Sequence, residues 1–237
     1  MKILEVKGLH AGYGTAEVLH DMSFDIKSGG VTSILGPNGA GKSTTFKAIF
    51  QLLNIYKGKV YLFGDDITGM ATKDIFNKYN VSYVPQEDKF YPNLTVDENL
   101  ETAALRTKKT KEKTKDTLKE VYDLFPRLLE RKNQIAHTLS GGEKQMLAVG
   151  RGLMKSPDLL IYDEPTGGLA PVIVNIVFDI MKEITKKGTT VFLAEEKIGQ
   201  SMKISKEVLL VKNGEIVFDS SKSKQKLTMK KVKSIYM

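Results

Sequence analysis

Gly36-Pro37-Asn38-Gly39-Ala40-Gly41-Lys42-Ser43 matches the pattern G-x-x-x-x-G-K-[ST], and its flanks decide what the match means. Before it, Val31-Thr32-Ser33-Ile34-Leu35 reads as a buried strand. After it, Thr44 to Leu53 carries Phe46, Ile49, Phe50 and Leu53 at helical spacing. The stretch therefore joins a strand to the start of a helix. Glycines in such a loop let backbone N–H groups approach an anion closely, and the helix dipole favours the same charge. Lys42 would reach the outer phosphates of a nucleotide, and Ser43 would offer its hydroxyl to a magnesium ion bridging them. The alternative, a glycine-rich turn with a surface lysine, does not account for the strand and helix on either side.

Composition narrows the setting. The chain has 237 residues, 41% of them hydrophobic, enough for a substantial core in one domain or in a core with an insertion. No apolar run approaches the ~18 residues of a membrane span, and the first residues lack a signal-peptide layout, so a cytoplasmic chain is expected. There is no cysteine, which excludes disulfides and thiolate metal sites. Three histidines, His10, His20 and His137, are scattered along the chain and give no transition-metal pattern. The net charge of +8 calls for an anionic partner: nucleic acid, an anionic membrane surface or the nucleotide alone. Much of the excess lies in the run Lys108 to Lys115 and in the tail from Lys222 to Lys233, where no aromatic residue is interleaved. That pattern suits a solvated face better than a base-stacking surface, and no nucleic-acid partner is expected.

Strand and helix signals alternate along most of the chain, an α/β pattern. Ile3 to Val6 and Val18 to Ile26 read as strands, with Gly12, Gly14 and Ser28-Gly29-Gly30 as turns. Tyr13, between two glycines, is either an ordinary surface tyrosine or a ring placed to stack on a flat base. Lys59 to Phe63 and Val81 to Val84 are further strands, the second stopped by Pro85, which leaves Gln86 just beyond a strand end. From Thr95 to Lys155 the pattern is helical, interrupting the alternation as an inserted subdomain. Within it Ser140 and Glu143 form a capping-box pair around Gly141 and Gly142, two glycines that a capped helix does not itself need. Leu159 to Tyr162 is an apolar run ending in Asp163 and Glu164, the form of a buried strand delivering carboxylates at its carboxyl end. Beside a magnesium nucleotide, Asp163 would hold the metal and Glu164 would polarise the attacking water. Pro171 opens a helix with Val172, Ile176, Ile180 and Ile184 on one stripe and Ile173, Val177 and Met181 beside it. Thr189 to Ala194 is a last buried strand, Asn213-Gly214 turns a hairpin, and a basic helical tail follows.

The loop Gly36 to Ser43, Gln86, Leu139-Ser140-Gly141-Gly142-Glu143 and Leu160-Ile161-Tyr162-Asp163-Glu164, in that order, resemble the ATP-binding subunits of ABC transporters. The likeness runs from about Ile3 to Phe218. Phe125-Pro126-Arg127-Leu128, Leu139 to Arg151, Gly168-Leu169-Ala170-Pro171 and Pro92 to Val96 resemble the branched-chain amino acid importer ATPases, second subunit type. The resemblance implies the ABC ATPase fold, a P-loop NTPase core with a mixed sheet, an N-terminal antiparallel β subdomain and an inserted helical subdomain. Residues 1–94 and 156–219 would form the core with its β subdomain, 95–155 the helical subdomain and 220–237 the basic tail.

It also implies ATP and Mg²⁺ as cofactors. Gly36, Pro37, Asn38, Gly39, Ala40, Gly41, Lys42, Ser43 and Thr44 would hold the phosphates, with Tyr13 on the adenine. Ser43, Gln86 and Asp163 would serve the metal; Glu164, Gln86 and Lys42 would serve catalysis. Ser140, Gly141 and Gly142 would grip ATP held by an opposite subunit. The implied partners are a second ABC ATPase subunit, identical or not, integral-membrane permeases and, through them, a substrate-binding protein, at the inner face of the cell membrane. Two positions depart from the general pattern: Ala170 stands where most members have an aspartate, and Glu196 where most have a histidine. A carboxylate at 196 cannot donate a hydrogen bond to a phosphate, so Glu196 is expected to turn away, towards Lys197 or another lysine, or to be protonated, leaving Glu164 as the base. A soluble ABC ATPase acting on nucleic acid, and an ATP-binding regulatory module that hydrolyses little, are the other readings. The first normally adds coiled coils, zinc modules or a second ATPase unit, and this sequence contains none; only Glu196 favours the second.

Overall fold

The computed structural model describes residues 1–87, 89–105 and 110–236. In chain order the elements are β1 (Lys2–Tyr13), β2 (Ala16–Lys27), β3 (Val31–Leu35), α1 (Lys42–Ile49), β4 (Asn54–Leu62), β5 (Asp65–Asp66), α2 (Thr72–Lys78) and β6 (Val81–Val84). Helices α3 (Val96–Ala104), α4 (Lys111–Leu124), α5 (Pro126–Glu130) and α6 (Gly141–Leu153) follow. The chain then alternates through β7 (Leu159–Asp163), α7 (Pro171–Lys186), β8 (Thr190–Glu195), α8 (Ile198–Ile204) and β9 (Glu207–Lys212), and closes with β10 (Glu215–Asp219) and α9 (Met229–Tyr236).

Two sheets result. One is antiparallel, ordered β2-β1-β4-β5; the other is mixed, ordered β10-β9-β3-β8-β7-β6, parallel throughout except for the β9–β10 hairpin. Helix α1 is buried between them, with the Phe46 ring 4.8 Å from Phe192 of the mixed sheet, itself 5.7 Å from Phe24 of the antiparallel one. Strands β3, β7 and β8 are buried at every residue, because both faces of the mixed sheet are covered. The pleat sorts their side chains. Leu159, Ile161, Phe192 and Ala194 enter the core beneath α1, while Leu160, Tyr162, Val191 and Leu193 enter a second core shared with α3–α7.

Several local expectations need correction. Strand β1 runs unbroken to Tyr13, so Gly12 is not a turn residue but a strand residue paired with Glu17. On α7 the core face is Val174, Val177, Phe178, Met181 and Ile184, whereas Val172 and Ile176 are 71% and 38% exposed. The buried face matches neither apolar stripe: it takes Val177 and Met181 from one and Ile184 from the other, and adds Val174 and Phe178, which belong to neither. Of the lysine run expected on a solvated face, Lys108 and Lys109 lie outside the described residues; the remainder opens α4 behind a Thr110 cap.

The tail is more than a basic extension. Leu227 and Val232 are buried against Leu35, Leu210 and Phe218, and the Tyr236 hydroxyl donates to the carbonyls of Leu35 and Val211, 3.0 Å from each. Burial pushes that phenol up to about 12. Leu35 is the last residue before the glycine-rich loop, so α9 braces the loop from behind. Tyr236→Phe removes a hydroxyl shared by two backbone carbonyls, at a cost of about 1–2 kcal/mol, and should lower the melting temperature by about 2–8 °C. Substitution of the exposed Lys230 should leave a thermal melt unchanged.

Candidate functional site

The sheet delivers its chemistry at one edge. The loop 36–41 follows β3, Asp163 ends β7, Glu195 ends β8 and Gln86 lies just past β6, so four strands converge on the carboxyl end of the sheet, where α/β folds bind ligands. The loop turns tightly enough that the Ala40 N–H donates to the Pro37 carbonyl at 3.2 Å. Gly41 takes φ 105°, a left-handed conformation, and a Cβ there would stand 3.0 Å from Leu19 and 3.3 Å from the Gly214 Cα, so glycine is required on both counts. Helix α1 begins at the next residue with no side-chain cap, leaving its opening N–H groups to an anion.

Lys42 is 3% exposed; its Nζ donates to the Gly36 and Pro37 carbonyls at 3.0 Å each and lies 3.3 Å from Glu164 Oε1. Gln86 Nε2 donates to the other oxygen, Glu164 Oε2, at 2.7 Å. Glu164 itself has φ 47°, a strained value for a side chain of its size, and its N–H bonds to the Ala194 carbonyl at 3.1 Å. The turn just beyond β7 thus separates two adjacent carboxylates. Asp163 faces α1, accepting from Ser43 Oγ at 2.9 Å and from the Tyr83 hydroxyl at 3.4 Å. Burial raises the Asp163 pKa, the charge of Glu164 adds to the rise, and the two hydroxyls counter it in part. A cation beside Ser43 and Asp163 would reverse that shift, and the oxygen donors of this pair suit a hard ion.

Tyr13 stands at the end of β1, 47% exposed, with Lys47 Nζ of α1 3.5 Å from its hydroxyl. Ser140, Gly141 and Gly142 begin α6, where the Ser140 N–H donates to Glu143 Oε2 at 2.9 Å and Ser140 Oγ accepts from the Glu143 N–H at 3.4 Å, completing the capping box. A Cβ on Gly142 would meet Ile173 of α7 at 2.8 Å, so this glycine permits close approach of α6 and α7. Among the described residues, no hydrogen bond or ion pair joins 140–142 to the group around Lys42 and Glu164.

Sequence reasoning missed three supports. Tyr83 points into the site because β6 is the edge neighbour of β7. Lys89 donates to Gln145 Oε1 at 2.9 Å, and the same oxygen accepts from the Tyr162 hydroxyl, tying the segment after Gln86 to α6; burial lowers the Lys89 pKa, opposed by Asp163, Glu164 and Glu195. Glu195 is fully buried and accepts from the Thr166 N–H at 2.9 Å and the Glu196 N–H at 3.2 Å; burial raises its pKa against these bonds. Lys197 Nζ donates to the carbonyls of Thr166 and Leu169, at 3.0 and 3.5 Å, rather than pairing with Glu196, which is exposed. The only available signal was the pair Glu195-Glu196 at a strand end, which does not tell which carboxylate turns inward. Glu196→Ala should therefore keep most ATP turnover, whereas Glu195→Ala, which frees the loop after Glu164, should lower it by about tenfold or more, an effect of the size that follows small misplacement of reacting groups. Steady-state hydrolysis by the two variants, side by side, checks the contrast.

The sequence profile of the family described as ABC transporter matches residues 19–167. The chain is 37% identical over 225 residues to the high-affinity branched-chain amino acid transport ATP-binding protein BraG of Pseudomonas aeruginosa, covering 95% of each. It is 38% identical over 220 residues to a probable branched-chain amino acid transport ATP-binding protein, LivF, of Archaeoglobus fulgidus, covering 92% of each. Among solved structures, a nucleotide-free ATP-binding cassette from an ABC transporter superposes with a TM-score of 0.82 at 25% identity, over 92% of this chain and 91% of that one. The ADP conformation of another ABC transporter cassette gives 0.79 at 27% identity, over the same shares of the two chains.

Proposed function

The chain belongs to the ABC transporter ATP-binding family and is an ATPase, and from that premise we propose that it powers import of branched-chain or chemically similar amino acids. The cargo rests on what BraG and LivF are named for. The ATPase roles rest on one observation above the others: at the carboxyl edge of the sheet Ser43 bonds to Asp163 while Lys42 and Gln86 both reach Glu164, and the two groups are adjacent through the chain neighbours Lys42-Ser43 and Asp163-Glu164.

In this reading the loop 36–41 and the N–H groups opening α1 cradle the β- and γ-phosphates of ATP, Thr44 continues the cradle, and Tyr13 stacks on the adenine. Lys42 swings from its loop carbonyls onto the outer phosphates. Ser43, Asp163 and Gln86 would hold Mg²⁺, which when bound supplies charge neutralisation at the phosphates. Glu164 orients a water in line with the γ-phosphate and accepts its proton, and Gln86, bonded to Glu164, positions that carboxylate.

Ser140, Gly141 and Gly142 serve the ATP of a second subunit. The supporting observation is apolar exposure nearby: Val172 and Ile176 stand out on the first turns of α7, beside the Ile173 that packs on Gly142. The helical unit of residues 95–155 is proposed to meet the permeases, which would place the protein at the inner face of the membrane. Among the described residues no helix is long and apolar enough to cross a membrane.

Sizing chromatography of Glu164→Gln with and without saturating Mg-ATP tests the two-subunit arrangement; a dimer with nucleotide and a monomer without it are expected, and a monomer in both sinks it. Radiolabelled amino acid uptake in a strain lacking this chain tests the cargo: restoration by the wild type and not by Lys42→Ala supports import, and unaltered uptake in the deletion overturns it.

A further inference from the structure

The histidines that look scattered along the chain are brought together by the antiparallel sheet. His10 Nδ1 lies 2.6 Å and His20 Nδ1 3.0 Å from the same oxygen, Glu17 Oε1, and one ligand atom from each of the three residues falls within 4.8 Å of the others. Residues three apart on a regular strand point to opposite faces. Here the β1–β2 register slips between Leu9 and Ala11 and again between Ala11 and Gly12, so Glu17 and His20 emerge on the same outer face as His10. The slips are a local backbone feature whose effect is to converge two imidazoles on one carboxylate.

We propose that His10, Glu17 and His20 form a site for a borderline divalent transition-metal ion, with Zn²⁺ as the representative. Two imidazole nitrogens and one carboxylate oxygen are a ligand set that zinc takes with water in the remaining position. Bonds of 2.0–2.1 Å in a tetrahedron place ligand atoms about 3.3 Å apart, so the two observed separations need to open by about 0.7 and 0.3 Å, and the two imidazole ligand atoms, within 4.8 Å of each other, need to settle at the same spacing. Each neutral ring would carry its proton on Nε2 and present Nδ1 to the metal. The site lies outside the nucleotide chemistry but close to it: the His20 N–H donates to the Gly214 carbonyl, and the Gly214 N–H to the carbonyl of Ala40 in the glycine-rich loop, each at 2.9 Å. It bridges the two strands of the hairpin whose rim carries Tyr13. The inference does not depend on the transport reading.

The test is Zn²⁺ binding to the purified nucleotide-free chain in excess Mg²⁺, measured by competition with a chromogenic chelator, together with the visible d–d absorption of Co²⁺ added in place of zinc. The wild type should bind one ion saturably. His10→Ala, His20→Ala and Glu17→Gln should each weaken binding by about tenfold or more and reduce the Co²⁺ band, while His137→Ala should change neither. Glu17→Gln alters an exposed side chain and carries the test if a histidine variant does not fold. Absence of saturable one-to-one binding by the wild type, or binding that survives in the His10→Ala/His20→Ala double variant, overturns the proposal.

Discussion

Glu164→Gln is expected to slow ATP turnover by about two to four orders of magnitude, the usual contribution of a positioned general base, while leaving ATP affinity close to that of the wild type. The substitution keeps the shape of the side chain and removes its ability to take a proton. In the structure Glu164 is held from two sides, by Lys42 at one oxygen and Gln86 at the other. A glutamine can keep only one of these contacts, because its amide nitrogen donates and cannot accept from either partner. With ATP bound the outer phosphates would draw Lys42 away, and the Gln86 contact would keep the new side chain in place. The variant should therefore bind nucleotide, close around it and stall. Steady-state hydrolysis, ATP binding by calorimetry and sizing chromatography separate these steps. Turnover within tenfold of the wild type would mean that another group takes the proton, and the buried Glu195 would then be the next carboxylate to test.

Lys42→Ala should abolish measurable turnover and weaken ATP binding, with about 10²–10³-fold lost from the chemical step alone when one preorganised stabilising group is removed. Lys42 is nearly inaccessible, so its charge acts in a medium that screens poorly. The same burial gives the variant a structural cost. The ammonium satisfies the Gly36 and Pro37 carbonyls and faces Glu164, and its loss leaves these acceptors unpaired at roughly 1–3 kcal/mol. A thermal melt must accompany the kinetics: a folded variant without turnover supports the assignment, and a folded variant with wild-type turnover removes Lys42 from it. Lys42→Arg is a useful companion. It preserves charge and should restore part of the stability but little turnover, because the planar guanidinium cannot occupy the position of a compact ammonium.

What could be read directly from the chain was whatever is written in contiguous residues. Val31 to Leu35 and Leu159 to Asp163 are legible as buried strands because a parallel strand covered on both faces is apolar at nearly every position. Gly41 and Asn213-Gly214 are legible because left-handed backbone favours glycine and asparagine, and the Ser140/Glu143 box because its partners are one helical turn apart. Lys42, Ser43, Asp163 and Glu164 could be selected from the same local signals, since each sits at a recognisable strand or helix end, whereas Gln86, a lone polar residue beyond a strand, takes its role only from the resemblance.

Tertiary structure alone decided how distant pieces meet. It set which face of α7 is buried, leaving Val172 and Ile176 outside. It gave Gly142 a packing reason in Ile173 and placed the Tyr236 hydroxyl on Leu35, 201 positions away. It turned Glu195 rather than Glu196 inward, onto the backbone of Thr166. It joined His10, Glu17 and His20 across two register slips that alternation along a strand cannot foresee. Periodicity reports a side chain's direction relative to its own helix or strand; the partner it reaches is set by sheet order, helix crossing and bulges, which depend on residues far away in the chain.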